Sequence, residues 1–546
     1  MAHHGEAHLT ESDTKKLGSQ AFGLFTLPLA VGIAGLCLAA LIALMTSSGD
    51  GRGLERFAHA YLWAYVYIAS LSFGCFALIF ISTLFRGHWQ ILFRRVWEIF
   101  AMQWLPLLLV LALPIIVFAA RNDGMLYSWR KPTDSGQLQH THQIVALSDP
   151  TLIKKYGTEY PPNYFIDKPD EYEDLKPLQH QKNPFSNPSL GDTHGMEQVH
   201  GDHSDHEGQD EHGHDEHEGH LHSRLNDATT STNSAETSAS EEHDAHGDHS
   251  GAHNNPLIEG KLPYLNLPFW SVRVLGYCVF LGVLMRVYHG RSIKMDTEES
   301  SDVRASLTRS NEKMVSWGTI LFGCVLTFFS FDLAMSLDPT WYSTMYGIRY
   351  FAGCMIGALS LTVVTFRVLQ AKGFLTSVNK QHYHDLGKLM FAMTFFWTYV
   401  TFSQYMLIWY ASVPAELPYF TVRGASTVEG STNAYTLISL FLIFGHFLFP
   451  WCFLLSRHIK LNLKTLTFIA GWMLFAHAVD IYWDIMAEFD NQFIFGGLGN
   501  FLIDLGCLVG LVGLFLAFSA KLAAKMHLVP IQDPRLARSI SHENLY

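Results

Sequence analysis

Ser330-Phe-Asp-Leu-Ala-Met-Ser-Leu-Asp-Pro-Thr-Trp-Tyr-Ser-Thr-Met-Tyr-Gly-Ile-Arg-Tyr350 closes one apolar stretch and opens the next. It holds an acid, Asp332, inside the first stretch, a stop signal at Asp338-Pro339, and a base, Arg349, early in the second. Proline ends a helix cleanly, because its ring clashes with the preceding turn and it has no N–H to donate. A carboxylate deep in hydrocarbon costs roughly 2.5–3.5 kcal/mol on insertion scales. Asp332 therefore reads either as functional or as one half of a polar pair.

Outward from this hairpin, runs of about 20 apolar residues recur, each long enough to cross a bilayer as a helix. We place spans near 24–45, 60–84, 98–120, 266–288, 315–337, 346–369, 388–411, 434–456, 465–486 and 501–524. The expected fold class is an all-α integral membrane protein with ten transmembrane helices. The chain has 546 residues, 49% of them hydrophobic, and its net charge of −12 is concentrated in a long polar insert. That charge says nothing of nucleic acid.

The loops give an independent reading of topology. Segments 86–96 (Arg86, Arg94, Arg95), 286–313 (Arg286, Arg291, Lys294, Arg304, Arg309, Lys313), 367–388 (Arg367, Lys372, Lys380, Lys388) and 457–464 (Arg457, Lys460, Lys464) are basic, and the tail adds Lys521, Lys525, Arg535 and Arg538. The alternate loops hold few cations. Basic loops stay in the cytoplasm, so one parity through ten spans puts both termini there. Residues 1–23 form a polar cytoplasmic segment with no sign of a cleaved signal peptide, and 525–546 form a cytoplasmic tail.

The connection 121–265 then faces the opposite side. Between His194 and His222 it holds nine histidines, nine acids and no Lys or Arg. Such a segment buries too little apolar surface to offset chain entropy, so 194–253 is expected to be disordered. Its imidazoles (His194, His200, His203, His206, His212, His214, His217) invite a metal, but the tract lacks the fixed spacing of a closed site. Weak multivalent buffering or a solvated spacer fits better. The seven cysteines form no C-x-x-C and no C-x-x-C-H, which argues against a cysteine-held cluster or a covalent c-type haem in this chain.

Within the spans, Phe475-Ala-His-Ala-Val-Asp-Ile-Tyr-Trp-Asp484 places His477, Asp480 and Asp484 on one helix face. Titratable neighbours in lipid are what a proton relay needs, since each must hold and pass a proton. The competing readings are a polar seam pairing with Arg273, Arg349 or Lys388, and an interfacial position near the outer surface. Asp332 and Asp504 are weaker versions of the same signal. His446 reads as a satisfied interior histidine. His384, Asp385 and Lys388 read as helix-entry polarity or a proton entry, and Glu98 as a mouth acid or a local ion pair.

Phe331-Asp332 with Ser336-Leu337-Asp338-Pro339 and Trp341-Tyr342-Ser343-Thr344, His384-Asp385-Leu386-Gly387-Lys388 and Phe402-Ser403-Gln404-Tyr405-Met406-Leu407-Ile408-Trp409-Tyr410 together resemble the ActF-type, NrfD-like membrane subunit of bacterial alternative complex III. Tyr264-Leu265-Asn266, Pro268-Phe269, Arg273, Ser456-Arg457, Asp533-Pro534-Arg535 and His542-Glu543-Asn544 support the likeness, which covers all ten spans and leaves out the insert. It implies two four-helix bundles plus two peripheral helices in a bacterial inner membrane. It further implies a quinol:cytochrome c oxidoreductase complex, with iron–sulfur clusters and c-type haems on partner subunits and none in this chain. The partners would be a second NrfD-like subunit, an iron–sulfur subunit, c-type cytochromes and a terminal oxidase. The titratable groups would then serve as a proton path or scaffold. A rival within the family is direct quinol binding at Asp332, Arg273 and Arg349. A rival outside it is a metal-ion transporter fed by the histidine tract.

Overall fold

Residues 11–14, 16–18, 20–50, 52–121, 124–130, 260–411, 416–425, 433–489 and 497–542 are described by the computed structural model. Chain contacts divide the protein into two units, Met1–Tyr164 with Ala252–Tyr546, and Phe165–Gly251. The second unit and the whole 194–253 tract lie outside the described residues. Among the described residues 81% are helical and none is in a strand.

The long helices are α1 (Gln20–Asp50), α2 (Arg52–Leu84), α3 (Ile91–Ala101) running on through a 3-10 turn towards α4 (Leu108–Ala119), α5 (Leu267–Thr297), α6 (Ser301–Leu333), α7 (Tyr346–Ala371) and α8 (Lys380–Ala411). After the short α9 (Leu417–Val422) come α10 (Ala434–Phe441), a π-helical stretch Leu442–Leu448, α11 (Phe449–Leu455), the short α12 (Arg457–Leu461), α13 (Leu463–Met486), α14 (Leu498–Ala523) and α15 (Leu536–Ile540). Among the described residues nine helices are long and apolar enough to cross a membrane, α3–α4 and α10–α11 each counting as one. The expected seventh span falls on α8, a 32-residue helix rich in Trp, Tyr and Thr that is not among the nine.

Local chemistry sets the ends. Asn266 caps α5, its Oδ1 accepting from the Phe269 N–H at 3.0 Å, with Pro268 in the first turn where no intrahelical donor is needed. The α-helical part of α6 stops at Leu333, and a 3-10 turn Met335–Leu337 follows. Asp338 Oδ1 then accepts from the N–H groups of Thr340 (2.9 Å) and Trp341 (3.3 Å), a side-chain turn that Pro339 completes.

Helix α2 runs through the middle, buried along nearly its whole length, and packs against α7, α14, α13, α6 and α1. α5 packs on α6 and α4, α7 on α13 and α8, and α8 on α11 and α12. α1 packs closely on α14, where small residues let the backbones meet. A Cβ added at Gly32 would stand 2.8 Å from the Gly510 carbonyl oxygen, and one at Gly506 2.8 Å from that of Gly35.

One end of the molecule gathers both described tails. Ser12 Oγ meets Thr376 Oγ1 at 2.5 Å, and His527 Nδ1 donates to Thr14 O at 2.8 Å. Arg94 donates to Asp533 at 2.5 Å, Ser539 Oγ to Trp89 O at 3.0 Å, and His542 Nε2 lies 2.6 Å from Asp385 Oδ2. The opposite end gathers the start and finish of the long insert. Tyr127 donates to Leu333 O (3.1 Å), Lys261 to Pro339 O (2.6 Å), and Trp341 stacks on Tyr419 with centroids 3.7 Å apart.

Gly32→Ala should force α1 away from α14 and lower the thermal midpoint of the purified protein, by about 1–3 kcal/mol of overpacking. Gly23→Ala, on the same helix with nothing within 4 Å of the added methyl, should not lower it. The two melts side by side check the contact.

Candidate functional site

Most acids singled out in the sequence are buried, and each buried one has a cation. Asp332 is gripped by both arms of Arg273 (Nε to Oδ2 and Nη2 to Oδ1, each 2.9 Å) and accepts from Tyr277 OH at 2.7 Å. Arg273 is held in turn by the Tyr264 carbonyl (3.0 Å) and lies 3.8 Å over the Tyr264 ring. Asp504 is gripped the same way by Arg56 (3.1 and 2.6 Å), with Tyr482 OH at 2.9 Å. Two-pronged guanidinium–carboxylate pairs fix geometry as well as charge.

Glu98 is fully buried among charged neighbours near the end that gathers the tails. It accepts from Ser292 Oγ (2.8 Å) and faces His289 Nδ1 (2.7 Å), with Arg94 Nε at 3.4 Å and Arg95 Nη1 at 3.6 Å. Arg94 also reaches Asp533, Arg95 reaches Asp296 at 2.6 Å, and Arg535 reaches Asp533 at 3.2 Å. Three acids thus stand with three arginines. Burial pushes the Asp533 carboxyl up, but Arg94 and Arg535 outweigh it and hold it well below the usual range. His384, Asp385 and Lys388 stay at the tail end, where Asp385 pairs with Lys388 (2.6 Å) and His542.

The remaining cluster is different. Arg349 donates through Nη1 to both oxygens of Asp484 (2.7 and 2.5 Å) and through Nη2 to Asp480 Oδ1. Asp480 Oδ2 accepts from Trp397 Nε1 at 3.1 Å. Arg423 donates to the Asp484 carbonyl at 2.8 Å, pairs with Glu488 at 2.6 Å, and lies 3.5 Å over the Tyr419 ring. Tyr419 OH stands 3.4 Å from Asp484 Oδ1. Three carboxyls (Asp480, Asp484, Glu488) therefore share two guanidiniums (Arg349, Arg423).

His477 extends this cluster inward. Two glycines of α7 make its slot, for a Cβ at Gly353 would stand 2.7 Å from its Cε1 and one at Gly357 3.0 Å from its Cδ2. Ser70 Oγ lies 2.7 Å from Tyr67 O and 2.8 Å from His477 Nε2. His477 Nδ1 has no hydrogen-bond partner and faces Asp480 Oδ2 at 3.9 Å.

Sequence reading found His477, Asp480, Asp484 and Arg349, which the fold brings together, and Arg273, which it places on Asp332. It did not find Glu488, two residues past the last turn of α13, nor Arg423 and Tyr419. Glu488 lies past the end of the helix, yet its i, i+4 spacing from Asp484 continues the same face and was a usable signal. His446 is buried as expected but unsatisfied: neither ring nitrogen has a hydrogen-bond partner. Of the candidate quinone ligands, Asp332 and Arg273 are paired with each other and Arg349 with Asp480 and Asp484, and none lines either of the two apolar cavities described, of about 560 and 330 Å³. Among the described residues no group of three or more His, Cys, Asp or Glu is placed to hold a metal ion. No known family model and no curated protein matches the chain.

Two predictions follow from the charge count. Arg349→Gln should destabilise the protein by roughly 3–5 kcal/mol, the usual consequence of leaving buried carboxylates without their cation. Adding Asp484→Asn should recover part of that loss in a thermal melt. Burial, opposed in part by Arg423, pushes the Glu488 carboxyl up from 4.5 to about 7. The fold therefore favours its neutral form, so this contribution to stability is complete below pH 4.5 and is lost as pH rises through 7. The melting midpoint should fall with pH over that window, and Glu488→Gln should flatten the fall.

Proposed function

We propose that the chain is the membrane subunit of a respiratory quinol:electron-acceptor oxidoreductase, moving protons through its own side chains while electrons travel on partner subunits. The motif resemblance supplies the class of complex: an alternative complex III, in a bacterial inner membrane, delivering electrons to a cytochrome c or terminal oxidase. Quinol is a ligand of the assembly, and iron–sulfur clusters and c-type haems belong to the partners.

Topology supports the reading. Tails that meet the same end of the bundle call for an even number of crossings. Helix α8 runs from Asp385 at that end to Tyr405, which packs on Phe420 at the other, and it is the tenth. Its aromatic and hydroxyl side chains keep its hydropathy low without shortening its reach, since 32 residues of helix extend about 48 Å. Neighbour relations fit two groups of four, α2, α4, α5, α6 and α7, α8, α10–α11, α13, with α1 and α14 as the peripheral pair. The basic loops and both tails are then cytoplasmic.

The single observation that carries the protonic role is the unequal cluster. Asp332 and Asp504 each have one arginine, and the Glu98 group has three acids for three arginines. Asp480, Asp484 and Glu488 have two arginines among them. A buried net charge is costly, so this cluster favours holding one exchangeable proton, and the balanced ones have no such need. Glu488 is its outermost acid. Asp332, doubly gripped by Arg273, is the poorer acceptor for a quinol proton.

Purification of the chain from its native membrane should bring haem-containing and iron–sulfur subunits with it; recovery of the chain alone and active would end the assignment. Within such a complex, Asp480→Asn should slow quinol-coupled proton release roughly 10²-fold while leaving assembly intact. Stopped-flow pH-indicator traces measure it, and unchanged release would remove Asp480 from the path.

A further inference from the structure

Among the described residues, His446 is the buried imidazole with no hydrogen-bond partner on either ring nitrogen. Buried polar groups are nearly always satisfied, so an exception asks for a reason. Its place in the fold is also unusual, for it lies on the π-helical stretch Leu442–Leu448. Such stretches are rare and are frequent at functional sites.

The stretch is fixed in register against the charged cluster. Trp472 of α13 donates its Nε1–H to the Gly445 carbonyl at 2.7 Å, catching an oxygen one residue before His446. His477 and Asp480 follow Trp472 on the same helix. On its other side His446 meets Trp397 edge-on, ring centroids 4.2 Å apart. That indole donates to Asp480 Oδ2, the oxygen that faces His477 Nδ1. Arg349 and His477 both lie within electrostatic reach of His446.

Depth orders these groups. At 1.5 Å of rise per residue, Asp484 lies about 3 Å, Asp480 about 9 Å and His477 about 14 Å inward from the end of α13, and His446 roughly 17 Å inward from the start of α10. Both helix ends face the same side, since Tyr435 OH donates to Met486 O at 2.8 Å. His446 is the deepest of the series.

We propose that His446 is a proton-binding site, the innermost of the relay, exchanging a proton with the His477–Asp480 pair through a bound water. The step moves one proton and no electrons: the Asp480 carboxyl releases H⁺ to the water, the water passes one to a ring nitrogen of His446, and a carboxylate and an imidazolium result. His477 Nδ1 and Asp480 Oδ2 stand 3.9 Å apart, beyond a direct hydrogen bond, and neither His446 nitrogen has a protein partner, so water is the carrier the step requires. The inference deepens the proposed protonic role and rests on it for its purpose, but not for its test.

The test uses the full chain labelled with ¹⁵N-histidine in lipid nanodiscs, with His446→Phe identifying the His446 resonances. We expect those resonances to titrate, and Asp480→Asn to displace the titration by about one pH unit. Resonances that stay fixed with pH, or ignore Asp480→Asn, overturn the proposal even if the chain is a respiratory subunit. In the whole complex, His446→Phe should keep the melting midpoint and slow proton release roughly 10²-fold. Unchanged release with the fold intact would make His446 a packing residue. Absence of redox partners on purification would instead strike the functional assignment and leave the titration result standing.

Discussion

A guanidinium held between two carboxylates, Arg349 between Asp480 and Asp484, is the constraint from which the rest of this interior takes its form. Ionised groups removed from water must be neutralised locally, because no solvent is present to do it. Among the described residues four such clusters use arginine, whose planar fork can engage two oxygens at once. Lys388, beside Asp385, keeps half its surface exposed. Arginine also cannot surrender its proton at any accessible pH, so the variable proton in each cluster must reside on a carboxyl or an imidazole.

Placing these pairs makes demands on the helices. α7 must come close enough to α13 for Arg349 to reach two acids one turn apart, and Gly353 and Gly357 are what permit the approach, since any side chain there would occupy the His477 ring's position. The hairpin turn before α7 is equally bound in. Ser336 Oγ donates to the Asp332 carbonyl, and Trp270 Nε1 donates to the same oxygen, so the loop that ends α6 also carries the Arg273–Asp332 pair. Trp341 in that loop stacks on Tyr419, whose other face carries Arg423. Two ion-pair clusters are thus joined through one turn.

Much of this was legible before any coordinates. Apolar runs gave the helices, Asp338-Pro339 gave the turn, and i, i+3 and i, i+4 spacing put His477, Asp480 and Asp484 on one face. That they would find Arg349 was one of the readings open, and Asp332 was read as functional or as half of a polar pair without its partner being named. The rest was hidden for a physical reason: the partners come together only through tertiary folding. Arg56 and Asp504 are separated by 448 residues, Arg94 and Asp533 by 439, and no local pattern couples them. The π-helical stretch is likewise invisible in a run such as Leu442-Ile-Phe-Gly-His-Phe-Leu448, whose composition suits an ordinary helix. His446 looked like a core residue because burial can be read from neighbours, whereas the satisfaction of its nitrogens depends on Trp397 presenting an edge instead of an acceptor.

On the proposed reading, His477 exchanges a proton with Asp480 through Nδ1, the ring nitrogen that faces the carboxyl, while Nε2 is engaged with Ser70. Between that pair and Glu488 stands Arg349, which stays charged and so cannot itself take a proton and pass it on. A proton travelling outward must bypass the guanidinium, by way of Tyr419 and Asp484 or water beside them, or wait for the guanidinium to loosen its grip on one acid. Each loosening would raise the cost of charge on the acid released and lower it on the acid retained, so on the proposed reading Arg349 is the side chain whose displacement shifts the proton between Asp480 and Asp484.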